Sequence, residues 1–175
     1  MSSLLYFSYG SNMSTPRMAA RVPSARFVCV ACLERHKLRF HKIGRDGSAK
    51  CDIPASHDPQ DRVFGVVYEL PAAGKPLLDE FEGLGRGYEE KSVRLTGPAG
   101  ESMHALSYYA TAIDAALKPY HWYKEHVLRG AIEHDLPEYY VLALESVESI
   151  TDPDPATHTR ELSVYGLRAG GSPAR

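Results

Sequence analysis

Short apolar runs separated by turn residues fill the chain up to Ala110, and helical periodicity takes over beyond it. Residues 4–9 predict a first strand, and residues 16–21 a short helix that opens with Pro16 and stops at Pro23. Residues 25–33, rich in valine and cysteine, read as a strand buried on both faces. Residues 37–42 alternate, with Leu38 and Phe40 inward and Lys37, Arg39 and His41 outward. The turn Gly44-Arg45-Asp46-Gly47 leads to a short strand at 49–54, and Asp58-Pro59-Gln60-Asp61 leads to the strongest strand signal, 63–70. Residues 75–82 predict a helix with Leu77, Leu78 and Phe81 on one face. Residues 88–95 and 102–110 pair as a hairpin about Gly97-Pro98-Ala99-Gly100. Pro119 opens a helix to about 134, and Pro137 another to about 147. Residues 163–167 are a candidate extra strand, and residues 168–175 have the composition of a disordered end.

Many short strands with the helices concentrated late imply an α+β fold on a mostly antiparallel or mixed sheet. Such strands can curl into a barrel, but periodicity does not say that it closes. A length of 175 residues fits one domain, placed at 1–150, with 151–175 as a partly disordered C-terminal extension.

Composition changes this picture little. A hydrophobic share of 43%, a charged share of 24% and a net charge of −2 are ordinary for a soluble chain and give no electrostatic case for nucleic acid or an anionic membrane. No run approaches a membrane span, and the start resembles no signal peptide. Three cysteines suggest no disulfide framework, so a cytoplasmic location is expected.

Two segments carry candidate chemistry. Tyr6-Phe7-Ser8-Tyr9-Gly10-Ser11-Asn12 ends an apolar strand at Gly-Ser and runs into a helix start that Ser14 or Thr15 can cap. Such a turn presents free backbone N–H groups to a carboxylate, phosphate or oxyanion, or it is a plain β-to-α turn. Leu77-Leu78-Asp79-Glu80-Phe81-Glu82-Gly83 reads as a helix ending at Gly83, with Glu82 in the last turn, where the helix dipole disfavours an acid.

Tyr9-Gly10-Ser11-Asn12 and Asp79-Glu80-Phe81-Glu82-Gly83 resemble the two signature motifs of the γ-glutamylcyclotransferase family. The strand Val63-Phe64-Gly65-Val66-Val67-Tyr68-Glu69-Leu70, Gly87-Tyr88 and Tyr123-Lys124 match in order, so the resemblance covers roughly 4–150. It implies a small closed β-barrel flanked by helices. It implies intramolecular cyclisation of a γ-glutamyl amine or amino acid to 5-oxoproline, with no cofactor or metal and a small molecule as the only partner. Oligomeric state stays open. Relatives act on γ-glutamyl amino acids, on γ-glutamylamines, and on γ-glutamyl groups protecting an antibiotic intermediate. Glutathione-specific relatives usually differ where this chain has Asn12.

The resemblance implies Glu82 as general base and then acid, against the plainer reading of a solvated helix-end glutamate. It implies substrate binding by Tyr6, Phe7, Ser8, Tyr9, Gly10 and Ser11, and by Tyr123 across the pocket. The N–H groups of Tyr9, Gly10 and Ser11 are candidates for an oxyanion hole. Tyr123 is otherwise a helix-face aromatic. Asn12 either caps the next helix or fixes the loop, and Tyr88 and Tyr120 are supporting candidates. The leaving amine is expected to be read outside the motifs, by residues 111–123. The non-enzyme alternative is a small-molecule sensor on the same barrel.

Other chemistries have no foothold. The basic and aromatic run at 35–42 suits the outer face of a strand better than nucleic-acid contact. Cys29 and Cys32 have metal-like spacing but no second pair, so buried thiols are expected. No H-E-x-x-H, nucleophile elbow or P-loop occurs.

Overall fold

The computed structural model describes residues 2–166. Seven strands form, β1 (Ser3–Ser8), β2 (Arg26–Glu34), β3 (Arg39–Ile43), β4 (Ala49–Asp52), β5 (Arg62–Pro71), β6 (Tyr88–Thr96) and β7 (Ser102–Ala110). The helices are α1 (Thr15–Arg21), α2 (Lys75–Glu82), α3 (His121–Glu133), α4 (Glu138–Glu145) and α5 (Pro155–Leu162). Five strands close into a barrel in the order β1-β5-β2-β6-β7, and β3 and β4 form a separate two-stranded sheet. Barrel pairings are antiparallel except the closing one, where β1 meets β7 in parallel at Tyr6 and Leu106. No described helix is long and apolar enough to cross a membrane.

Two glycines set close approaches that position the site. In β5, a Cβ at Gly65 would lie 2.3 Å from the Ser8 carbonyl oxygen and 2.7 Å from the Phe7 ring, so β1 packs there only against a residue without a side chain. In α3, a Cβ at Gly130 would lie 2.6 Å from the Met13 Cβ, which brings α3 down onto the 3-10 turn Ser11–Met13. Outside the barrel, α4 covers β5 through Tyr140, whose ring meets Phe64 edge-on at 5.4 Å.

Several expectations fail for identifiable reasons. β2 is buried on one face only, at Ala31 and Leu33, and Cys29 and Cys32 are half-buried; Phe27 is 50% exposed beside a bulge, with the His134 ring stacked on it at 4.8 Å. β3 begins only at Arg39; across a bulge between Phe40 and Lys42 the inward series of Leu38 and Phe40 continues to Lys42, which is buried, while Ile43 is exposed. In α2 only Leu78 is buried, while Leu77 and Phe81, one turn apart, share an exposed face. Neither Ser14 nor Thr15 caps α1 with its side chain; the Ser14 hydroxyl instead accepts from Tyr165 at 2.9 Å. The extra strand expected at 163–167 is a 3-10 turn over Ser163–Tyr165, and Leu167 lies outside the described residues. The helix α5 falls where no element was expected.

Candidate active site

Glu82 is the last residue of α2, which Gly83 ends in the left-handed conformation (φ 74°). The helix is pinned from within. Asp79 accepts from Lys75 one turn earlier and from the Tyr108 hydroxyl of β7 at 2.5 Å. Glu82 is thereby turned towards the barrel mouth, whereas Glu80 points to solvent. The carboxylate Oε1 accepts two hydrogen bonds, from the Tyr6 hydroxyl at 2.8 Å and from Asn12 Nδ2 at 2.7 Å. Oε2 accepts none among the described residues. Burial pushes the Glu82 carboxyl above the ordinary carboxylate range, against the opposing pull of Arg21, the Tyr6 hydroxyl, Arg17 and Lys42. Burial likewise raises Tyr6, so it stays a donor.

Asn12 caps nothing. Its carbonyl oxygen accepts from Arg21 at 2.9 Å while its amide nitrogen donates to Glu82, so it relays a guanidinium on α1 to the carboxylate on α2. The turn before it folds back through Met13 N–H to the Gly10 carbonyl at 3.0 Å. A Cβ at Gly10 would sit 3.1 Å from the Cys51 Cβ and 3.4 Å from the Tyr123 hydroxyl. No protein acceptor among the described residues takes the N–H of Gly10 or Ser11. The Ser8 hydroxyl is also buried without a partner. Unsatisfied buried polar groups are costly, and a polar ligand is one remedy.

These groups line a recess of about 30 Å³ bounded by Tyr6, Ser8, Tyr9, Gly10, Ser11 and Asn12 of the first segment, with Cys51, Glu82, Tyr88, Tyr108 and Tyr123 opposite. Ser11, Glu82, Tyr88 and Tyr123 also line an outer cavity of about 230 Å³. The Tyr123 hydroxyl accepts from Cys51 N–H at 3.0 Å and the Tyr88 hydroxyl donates to the Cys51 carbonyl, so both rings are fixed to β4. The outer cavity is strongly cationic, with Arg17, Arg21, Lys42, Arg45, Lys50 and Arg86 against Asp46, Glu82 and Glu161. No group of three or more His, Cys, Asp or Glu side chains converges as a metal site among the described residues.

Known proteins match this chain in sequence and fold. A family model described as the AIG2-like family matches residues 62–144. The human protein named gamma-glutamylcyclotransferase is 36% identical over 150 residues, covering 83% of this chain and 79% of the human one. The mouse protein of the same name is 34% identical over 150 residues. A solved structure titled gamma-glutamyl cyclotransferase superposes with a TM-score of 0.80 at 33% identity, covering 87% of this chain and 92% of that one. The chain belongs to the γ-glutamylcyclotransferase family. Its closed mixed barrel is the fold of that family.

Around the two γ-glutamylcyclotransferase motifs, two expected residues stand apart. Phe7 is fully buried and lines neither cavity, because strand alternation aims Tyr6 and Ser8 into the recess and Phe7 away, against Gly65. Tyr120 also lines neither; its hydroxyl donates to the Asp46 carbonyl at 3.2 Å, bracing the β3–β4 turn from behind. Tyr88 lines both and belongs to the wall itself. Of residues 111–123, the expected reader of the leaving amine, only Trp122 and Tyr123 line the outer cavity, and the Ala112 carbonyl instead accepts from Ile43 N–H of the β3–β4 hairpin. The wall facing Glu82 instead comes from that hairpin, Lys42 to Lys50, and from Arg17 and Arg21. The two arginines stand one turn apart on α1, a spacing visible in the sequence. The hairpin cations carried no such signal.

Proposed function

We propose that this protein converts γ-glutamyl amino acids to 5-oxoproline and the free amino acid, with Glu82 as base and then acid. The observation that carries the reading is the unequal treatment of the two Glu82 oxygens. Oε1 is clamped by Tyr6 and Asn12, and Oε2 is left open at the recess. A carboxylate held by one oxygen keeps its direction while the other exchanges a proton, and its raised proton affinity suits that task.

In the reaction, the substrate α-amine attacks its own γ-carbonyl carbon, forming the ring C–N bond as Oε2 takes the amine proton. The attack is intramolecular, so holding the bent conformer does much of the work. The oxyanion is met by the free N–H groups of Gly10 and Ser11. As the tetrahedral intermediate collapses, the old C–N bond breaks and Oε2 returns its proton to the leaving nitrogen. No redox partner and no covalent enzyme intermediate are needed. The cationic outer cavity favours a leaving amine that carries a carboxylate, an amino acid rather than a simple alkylamine. Three unbridged cysteines support a reducing cytoplasm as its location.

The experiment is to incubate the protein with γ-glutamyl-alanine and with a γ-glutamyl alkylamine and to quantify 5-oxoproline. Glu82→Gln keeps the size of the side chain and removes the proton carrier, and it should fold while losing turnover by about 10²–10⁴-fold. Near wild-type turnover in that variant moves the base elsewhere. Binding of both compounds without turnover in either protein favours a sensor.

A further inference from the structure

We propose that Lys42, with Arg45 and Arg86 beside it, forms a subsite for a second negative charge on the leaving group, so that the protein prefers γ-glutamyl derivatives of acidic amino acids. The inference rests on the cyclisation reading above and goes further in naming the leaving group.

The case begins with how the cavity cations are answered. Arg17 is paired with Glu161 at 2.7 Å and Lys50 with Asp46 at 2.7 Å. Arg21 is engaged by Asn12. Lys42 is different. It is only 5% exposed, yet it makes no ion pair and no hydrogen bond among the described residues. Its ammonium lies over the Tyr88 ring, 4.6 Å from the centroid, on the wall that also carries Glu82. Gly87, at φ 109°, leaves room for it: a Cβ there would approach Nζ to 3.2 Å. Lys42 falls on the same inward face of the strand as Leu38 and Phe40.

A buried cation without a counter-ion is costly unless something arrives to answer it. Burial, then Lys50 and Arg45, lower the proton affinity of Lys42 against the weaker opposing pull of Glu82 and Asp46, a burden that an incoming anion relieves. The charge count agrees. Once the two cavity ion pairs are set aside, Arg21, Lys42, Arg45 and Arg86 face the single carboxylate of Glu82. A substrate ready to react brings the α-carboxylate of its γ-glutamyl half and one more on the leaving amino acid. One cation is still unanswered. A leaving glutamate or aspartate supplies the missing charge from its side chain.

The test compares γ-glutamyl-glutamate with γ-glutamyl-glutamine, which match in shape and differ in that charge, by kcat/KM for 5-oxoproline release. The wild type should favour the glutamate by about tenfold or more, the scale of a charge-assisted hydrogen bond. The preference should lie in KM, since the subsite is remote from the bonds that change. Lys42→Met should cut the ratio by about tenfold, and Lys42→Arg should keep it. Arg86→Gln, at an exposed position, should lower it in the same direction should Lys42→Met fail to fold. A wild-type ratio at or below one, or a ratio that these removals leave unchanged, overturns the subsite. Release from neither compound, nor from γ-glutamyl-alanine, overturns the cyclisation reading instead.

Discussion

The hydroxyl of Tyr6 donates to Oε1 of Glu82 over 2.8 Å, joining residues 76 positions apart in the sequence. A tyrosine on the first barrel strand thus sets the orientation and the proton affinity of the candidate base. The hydrogen bond favours the ionised carboxylate, against the burial that disfavours it.

Tyr6→Phe should therefore raise the proton affinity of Glu82 further. The base works ionised, so activity falls below its pKa, and the acid limb of the kcat/KM profile should move to higher pH. An acid limb in the same place as the wild type would mean that Glu82 does not set it. The variant also tests the clamp, because Asn12 alone would then hold Oε1.

Gly65→Ala should damage the fold where β1 packs on β5. The new methyl group would press on the Ser8 carbonyl and the Phe7 ring, and both belong to packed backbone and core that cannot step aside. A loss of about 1–3 kcal/mol is expected, read as a fall in Tm of several degrees in a thermal melt. An unchanged Tm would show that β1 and β5 have slack at this point.

The acid stability of the protein should depend on His126. This ring is fully buried, with Nε2 2.8 Å from an Arg17 nitrogen and Nδ1 2.6 Å from the Tyr165 hydroxyl. Arginine only donates, so Nε2 accepts and the proton sits on Nδ1. A second ring proton would point at a guanidinium. Burial lowers its pKa to about 4 from the ordinary 6.5, with Arg17 adding to the shift and the Glu161 carboxylate, 3.7 Å from Nε2, opposing it. Between those values the unfolded chain takes up a proton that the folded chain refuses. Stability is full above pH 6.5 and falls towards pH 4, by about 3 kcal/mol from this group. His126→Gln, which can accept from Arg17 and donate to Tyr165, should flatten that slope in urea melts at pH 4, 5, 6 and 7. A slope equal to that of the wild type would clear His126 of the role.

Much of this was legible in the chain. All seven strands, the hairpin of β6 and β7 and the helix carrying Glu82 follow from periodicity and turn residues, and the motif order points to a closed barrel. Local bulges were not legible. The one in β3 falls between Phe40 and Lys42, and no residue type there announces it. The role of Asn12 was open because two partners, one on each of two helices, had to arrive before it became a bridge. The leaving-group wall was sought in residues 111–123 for their aromatics, and of that segment only Trp122 and Tyr123 line the cavity. The rest of the wall comes from charged side chains that a sequence reading assigns to solvent.

Barrel closure has a further consequence. The parallel contact between β1 and β7 is the last seam of the cylinder, and Tyr6 is the β1 residue at that seam as well as the one on Glu82. Tyr108, on the other side of the seam, holds Asp79 and with it the helix that presents the carboxylate. Without β7 the helix that carries Glu82 lacks the Tyr108 hold on Asp79, so the base is fully anchored only once the last strand is home. In the finished molecule, any opening along that seam should silence turnover before the helices melt, so activity reports on the integrity of the cylinder earlier than circular dichroism can.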